Sequence, residues 1–235
     1  MKLRAIVGLS LLFAMTGVQA ASLLLRPTTL VLSGKESAAT ITLTNSGEQP
    51  LTAQLRLYSW DQKNNDELLV ETSTLMASPP MINIPAGKSQ TVRVVRVGAK
   101  PAAAQESYRL VVDEIVDRSL QSADSGVVMQ LRYSVPIFVM PKSGAKANAT
   151  VNATVTGDTL SFDVTNRGTA HALISNIAVA YSDGSSRTVN AGLVGYVLPD
   201  KQRQWVLKVP AGQNAGSTAR QVRAVINGKE LAVAL

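Results

Sequence analysis

Cysteine is absent from the 235-residue chain, and histidine occurs once, at His171. Without cysteine there is no disulfide stapling, no thiolate nucleophile and no sulfur-ligated zinc. A Ser–His–Asp triad would need His171 as its base. That residue sits in "RGTAHALIS" (167–175), in a loop entering a strand, and reads as a surface or interface histidine. Carboxylates at metal-ligand spacing are also missing. "AGKS" (86–89) resembles the tail of a phosphate loop, but Ile82 stands where that motif requires glycine. Two formal glycosylation sequons, at Asn148 and Asn152, fall in a Thr/Ala-rich strand where such triplets arise by chance. No enzyme and no cofactor are expected.

Long apolar runs are missing too, apart from the start of the chain. Lys2 and Arg4 precede an apolar stretch from Ile6 to Met15, and Val18-Gln19-Ala20 offers small residues before Ala21. This is the pattern of a secretory signal peptide over residues 1–20, too short for a membrane span of about 18 or more residues. Its removal lowers the formal charge from +7 to +5. The remaining basic residues are not gathered into runs, so no nucleic acid and no membrane insertion are expected.

What is present is short alternating runs separated by turn residues, a β pattern. "AATITLTNSGEQPLTAQLRLYSW" (38–60) is echoed by "LSFDVTNRGTAHALISNIAVAY" (160–181), with Thr44-Asn45-Ser46-Gly47 matching Thr165-Asn166-Arg167-Gly168. "IPAGKSQTVRVVRV" (84–97) is echoed by "LPDKQRQWVLKV" (198–209) in the same order. Two echoes in one order predict an all-β protein of two tandem immunoglobulin-like β-sandwich domains, residues 21–141 and 142–235, joined at the turn-rich Pro141–Gly144.

"SGVVMQLRYSVPIFVMP" (125–141) stands out. Val127, Met129, Leu131, Tyr133 and Val135 share one face of a strand, and Pro136, which cannot donate to a ladder, points to an edge. Soluble proteins usually protect an apolar edge, because it recruits other chains. Periodicity alone leaves an inner strand equally open.

"LSGKESAATITLTNSG" (32–47), "PPMINIPAGKSQTVRV" (79–94), "ESYRLVVDEI" (106–115) and "VVMQLRYSVPIFVMP" (127–141) together resemble the PapD-like periplasmic chaperones of pilus (fimbrial) subunits, most similar to the archaic or alternative branch of the chaperone–usher pathway. The resemblance implies two domains set as a boomerang. It implies a G strand with subunit-binding residues Val127, Met129, Leu131, Tyr133 and Val135, lent to incomplete pilus subunits with Val127, Met129 and Leu131 matching the donor positions. It also implies delivery to an outer-membrane usher and a loop from Val116 to Ser125 that orders on binding. A self-capping dimer of the free protein is left open. The cations with which better-known relatives hold the subunit carboxylate are replaced by Thr29 and Pro136. Arg93, Arg96 and Arg109 are the candidate cleft cations instead, with Arg93 expected to pair with Glu114 and Arg132 expected to be solvated. The competing reading is an exported structural or adhesive immunoglobulin-like protein, such as a pilus subunit.

Overall fold

The structure, a computed structural model, describes residues 23–99, 103–115, 130–211 and 217–235. Among these there is no helix, and seventeen strands form four sheets. The N-terminal half contributes β1 (Leu23–Arg26), β2 (Leu30–Leu32), β3 (Ala38–Asn45), β4 (Leu51–Lys63), β5 (Asp66–Glu71), β6 (Leu75–Ser78), β7 (Met81–Ile84), β8 (Ser89–Arg96), β9 (Glu106–Ile115) and β10 (Arg132–Val139). The C-terminal half contributes β11 (Ala149–Thr156), β12 (Thr159–Asn166), β13 (Ala172–Tyr181), β14 (Ser186–Val197), β15 (Lys201–Lys208), β16 (Ala219–Ile226) and β17 (Lys229–Ala234). The expected pair of tandem immunoglobulin-like sandwiches is what the chain forms.

The first sheet has the order β1-β3-β8-β6, and the second β2-β10-β9-β4-β5 with β7 beside β4. Their inward faces follow the period-2 pattern of a half-buried strand. Ile41 and Leu43 from β3, Val92 and Val94 from β8, Leu55 and Leu57 from β4, and Leu110 and Val112 from β9 meet in one core. The second sandwich joins β11-β12-β15 to β14-β13-β16-β17 around Leu160, Phe162, Val164, Ile174, Val179 and Val222.

The two echoed motifs occupy equivalent places. Asn45 is fully buried, and its Nδ2 donates to the carbonyls of Gln49 (2.7 Å) and Ile84 (3.0 Å). Its Oδ1 accepts from the Gly47 amide at 2.9 Å. Asn166 repeats this: its Nδ2 donates to the carbonyls of Ala170 (2.7 Å), Val197 (3.0 Å) and Leu198 (3.2 Å), and its Oδ1 accepts from Gly168 (3.0 Å). Each echo of the second motif thus begins at the carbonyl that the asparagine of the first one ties down. Gly168 is required by close approach, since a Cβ there would stand 2.4 Å from the Lys146 carbonyl oxygen.

Candidate functional site

The strand that stood out in the sequence is β10, and it lives in two environments. Along its whole length it pairs antiparallel with β9, from Arg132 opposite Asp113 to Val139 opposite Glu106. On its other side β2 pairs with it in parallel, but only over Ile137–Val139. Among the described residues, 132–136 have no strand on that side. The chain reaches this arrangement because β1 pairs with β3 in the first sheet and then, after Pro27–Thr29, crosses to the second sheet as β2. Thr29 lies at that crossing and Pro136 lies at the end of the free margin, opposite Arg109. A proline's missing N–H costs little where a second neighbour is lacking.

Side chains on the two faces of β10 have different fates. Val127 and Met129 lie outside the described residues, as does the loop from Val116. Leu131 is half-buried. Tyr133 packs against the first core, and its hydroxyl donates to the Leu23 carbonyl at 2.6 Å. Burial pushes that hydroxyl's pKa up. Val135 is 5% exposed and belongs to the domain's own core. This corrects the expectation for Val135: once β10 passes beneath the sandwich, the same apolar face that serves an edge becomes interior, so Val135 is already buried. Its side chain is therefore not available to a partner. The reading of β10 as an edge strand holds for its first half, not its second.

The three candidate cations separate. Arg93 is exposed on the outer face of the first sheet, between Thr40 and Ser78. Glu114 is on β9 in the other sheet, and no ion pair joins them, which corrects that expectation. Strand β8 belongs to the sheet remote from β10, so its outward side chains point away from the free margin. Arg96 is buried within the first domain. Its Nη1 donates to Glu106 (2.6 Å) and to the Tyr108 hydroxyl (3.2 Å), and its Nε to the Ala99 carbonyl (2.8 Å). It is a structural ion pair, not a cleft cation, because alternation turns it inward. Arg109 does reach the wall between the domains. Its guanidinium lies 3.7 Å from the centre of the Trp60 ring and 5.9 Å from that of Tyr196, and it pairs with Glu67 at 3.3 Å. Burial pulls its pKa down against the opposing attraction of Glu67.

That wall is a small aromatic cluster. Phe138, on the cleft face of β10, meets Trp60, Tyr196 and Leu198. His171 stacks on Phe138 with ring centres 3.7 Å apart. It is an interface histidine, as expected, and burial lowers its pKa from 6.5 to about 4. Three side-chain amides, none of them singled out by the sequence, tie the domains together. Gln62 donates to the Tyr196 carbonyl and accepts from the Leu198 amide, both at 2.9 Å. Asn65 does the same with Gln204, at 3.0 and 2.8 Å. Gln105 Oε1 accepts from the His171 amide at 3.2 Å. Uncharged amides in loops and strand ends carry no periodic signal, so nothing in the sequence marked them. Lys201–Asp61 (2.7 Å) and Arg203–Glu67 (3.7 Å) add charge at the rim.

Asp113 was also unmarked. It is 5% exposed on the cleft face of β9 and receives Arg56 Nη2 at 2.6 Å and Arg132 Nε. Burial alone would raise its pKa, but the two guanidiniums hold it below the usual carboxylate range. Arg132 is solvated, as expected, with its side chain 68% exposed, and is paired as well.

Comparison with known proteins completes the picture. A search of curated proteins finds no match. Among solved structures, the chain is similar to a chain of the CsuC–CsuE chaperone–tip adhesion subunit pre-assembly complex from archaic Csu pili of Acinetobacter baumannii. The identity is 22%, with 91% of this chain and 97% of that chain covered and a TM-score of 0.65. It is similar to a chain of the Salmonella enterica SafA pilin–SafB chaperone complex (15% identity, 93% and 99% covered, TM-score 0.63). It is similar also to the Pseudomonas aeruginosa CupB2 chaperone (16% identity, 90% and 100% covered, TM-score 0.59). At such identities the likeness is one of fold. The family model for pili and flagellar-assembly chaperones, PapD N-terminal domain, matches residues 22–145, more than half of the chain. With a PapD-type sandwich, a first strand shared between two sheets and a half-open β10, this chain belongs to the family of pili and flagellar-assembly chaperones.

Proposed function

We propose that this chaperone is exported, cleaved after Ala20 and active in the periplasm, where it lends the open margin of β10 to pilus subunits and passes them to an outer-membrane usher. The domain boundary in this reading lies between Pro141 and Lys142, in the stretch separating β10 from β11. The observation that carries the reading is the free side of residues 132–136, continuous with an apolar row at Leu131. An unpaired strand offers N–H and C=O groups to a partner's sheet, while alternate side chains fill the partner's groove. Val127, Met129 and Leu131 are the proposed donor side chains. Each contributes about 1.5–3 kcal/mol on leaving water, before ordering costs of similar size are subtracted. Such a loan is non-covalent and reversible and needs no nucleotide. The chaperone–subunit complexes among the structural neighbours support the choice of partner. Of the three candidate cations we retain Arg109 as the one placed to act at the cleft.

The test is co-purification with a co-expressed cognate pilin. Met129→Glu with Leu131→Glu is expected to leave a folded chaperone that no longer captures the subunit. Capture at the wild-type level would end the donor-strand reading.

A further inference from the structure

We propose that Asp113 is the positioning residue of the lending edge: by holding Arg132 it keeps residues 130–136 extended and in register before any subunit arrives. This rests on the donor-strand reading above and deepens it.

The need is physical. Residues 132–136 have β9 on one side and no strand on the other among the described residues, and segments held by few contacts open locally. A donor strand that frays must be ordered again on each encounter, at the expense of affinity. Ties from side chains are therefore worth locating. The Tyr133 hydroxyl holds the core side through the Leu23 carbonyl. On the cleft side Gln130 Nε2 donates to the Glu114 carbonyl at 2.7 Å, next to the backbone bond from the Glu114 amide to the Leu131 carbonyl (3.0 Å). The charged tie is Arg132 Nε to Asp113 Oδ1.

Three features single out this last tie. Arg132 and Asp113 are directly opposite each other in the ladder, so their bond reports register, not mere proximity. A slip of one residue would carry Leu131 and its row to the other face. The carboxylate is buried although Arg132 itself is exposed, so the pair is screened less than an ordinary surface pair. Finally, Arg56 occupies the second carboxylate oxygen at 2.6 Å, so Oδ1 is left to Arg132. Arg56 is on β4, separated from the lending strand by β9 in the sheet, which makes it the natural control.

Amide hydrogen exchange in the free full-length protein tests the idea without a subunit. Arg132→Gln is expected to speed exchange at the 131–134 amides about tenfold, the size of one charge-assisted hydrogen bond. Arg132→Lys should recover part of the protection, and Arg56→Gln should leave it within about twofold. Asp113→Asn, if it folds, should match Arg132→Gln. Capture of co-expressed pilin by Arg132→Gln should slow by a similar factor while the core amides of β9 keep their protection. Equal effects of Arg56→Gln and Arg132→Gln, or no effect of either, would overturn the positioning role. That outcome is separate from failure of the donor reading, which the Met129/Leu131 double variant decides by itself.

Discussion

Asn45 and Asn166 show how far a single residue type can be read. Both are visible as the asparagine of a repeated Thr-Asn-x-Gly, but the repeat alone offers no reason for asparagine over another turn former. The fold supplies it: each amide spans the turn that carries the chain from one sheet to the other and the end of a later strand, satisfying carbonyls that would otherwise be buried without donors. Asn166→Ala strands several such groups and is expected to cost about 2–4 kcal/mol, read as a lower urea midpoint for unfolding of the C-terminal sandwich. Asp113 carries a different signature. Its folded pKa lies below its ordinary value, so its contribution is complete above about pH 4 and disappears as pH falls through the folded value. Acid unfolding curves of the wild type and Asp113→Asn should therefore differ at neutral pH and converge in strong acid; a constant gap between them would contradict the ion pairing.

At the scale of the element, β10 teaches that one alternating run can do two jobs. Leu131 and Val135 are identical in hydrophobic pattern, yet one is half-buried at an open margin and the other is sealed in a core. The difference arises from what packs over that face: Val135 lies in the core formed with the first sheet, although among the described residues it too has no second strand beside it. Periodicity reports which face a side chain occupies, not what lies over that face. Val135→Asp is accordingly expected to unfold the N-terminal sandwich, since an unpaired charge would be buried. Leu131→Glu should leave the thermal midpoint within a few degrees. Matching losses in a thermal scan would mean that Leu131 is interior after all. The cations follow the same logic: Arg93 and Arg96 are three residues apart on β8, and their opposite faces send one to solvent and the other into an ion pair with Glu106.

At the scale of the whole molecule, the domains meet through aromatic stacking and neutral amides. His171 is the pH-sensitive member of that wall. Its folded pKa of about 4 lies below the ordinary 6.5, so between these values the unfolded chain binds more protons. Its contribution is full above pH 6.5 and declines as pH falls toward 4. Urea midpoints measured across that window should fall more steeply for the wild type than for His171→Gln; parallel profiles would refute the linkage. Gln62→Ala, which leaves a backbone carbonyl and amide unpaired, should loosen the domain pair and broaden the small-angle scattering profile. Composition, two echoed motifs and one run of alternating residues were enough to determine two β-sandwiches and a strand with one apolar face, because these depend on local periodicity and turn chemistry. Which half of that strand stays open, which arginine reaches the second domain and what locks the domains together were settled by tertiary structure alone. Those outcomes depend on neighbours supplied by distant parts of the chain, and no local pattern encodes them.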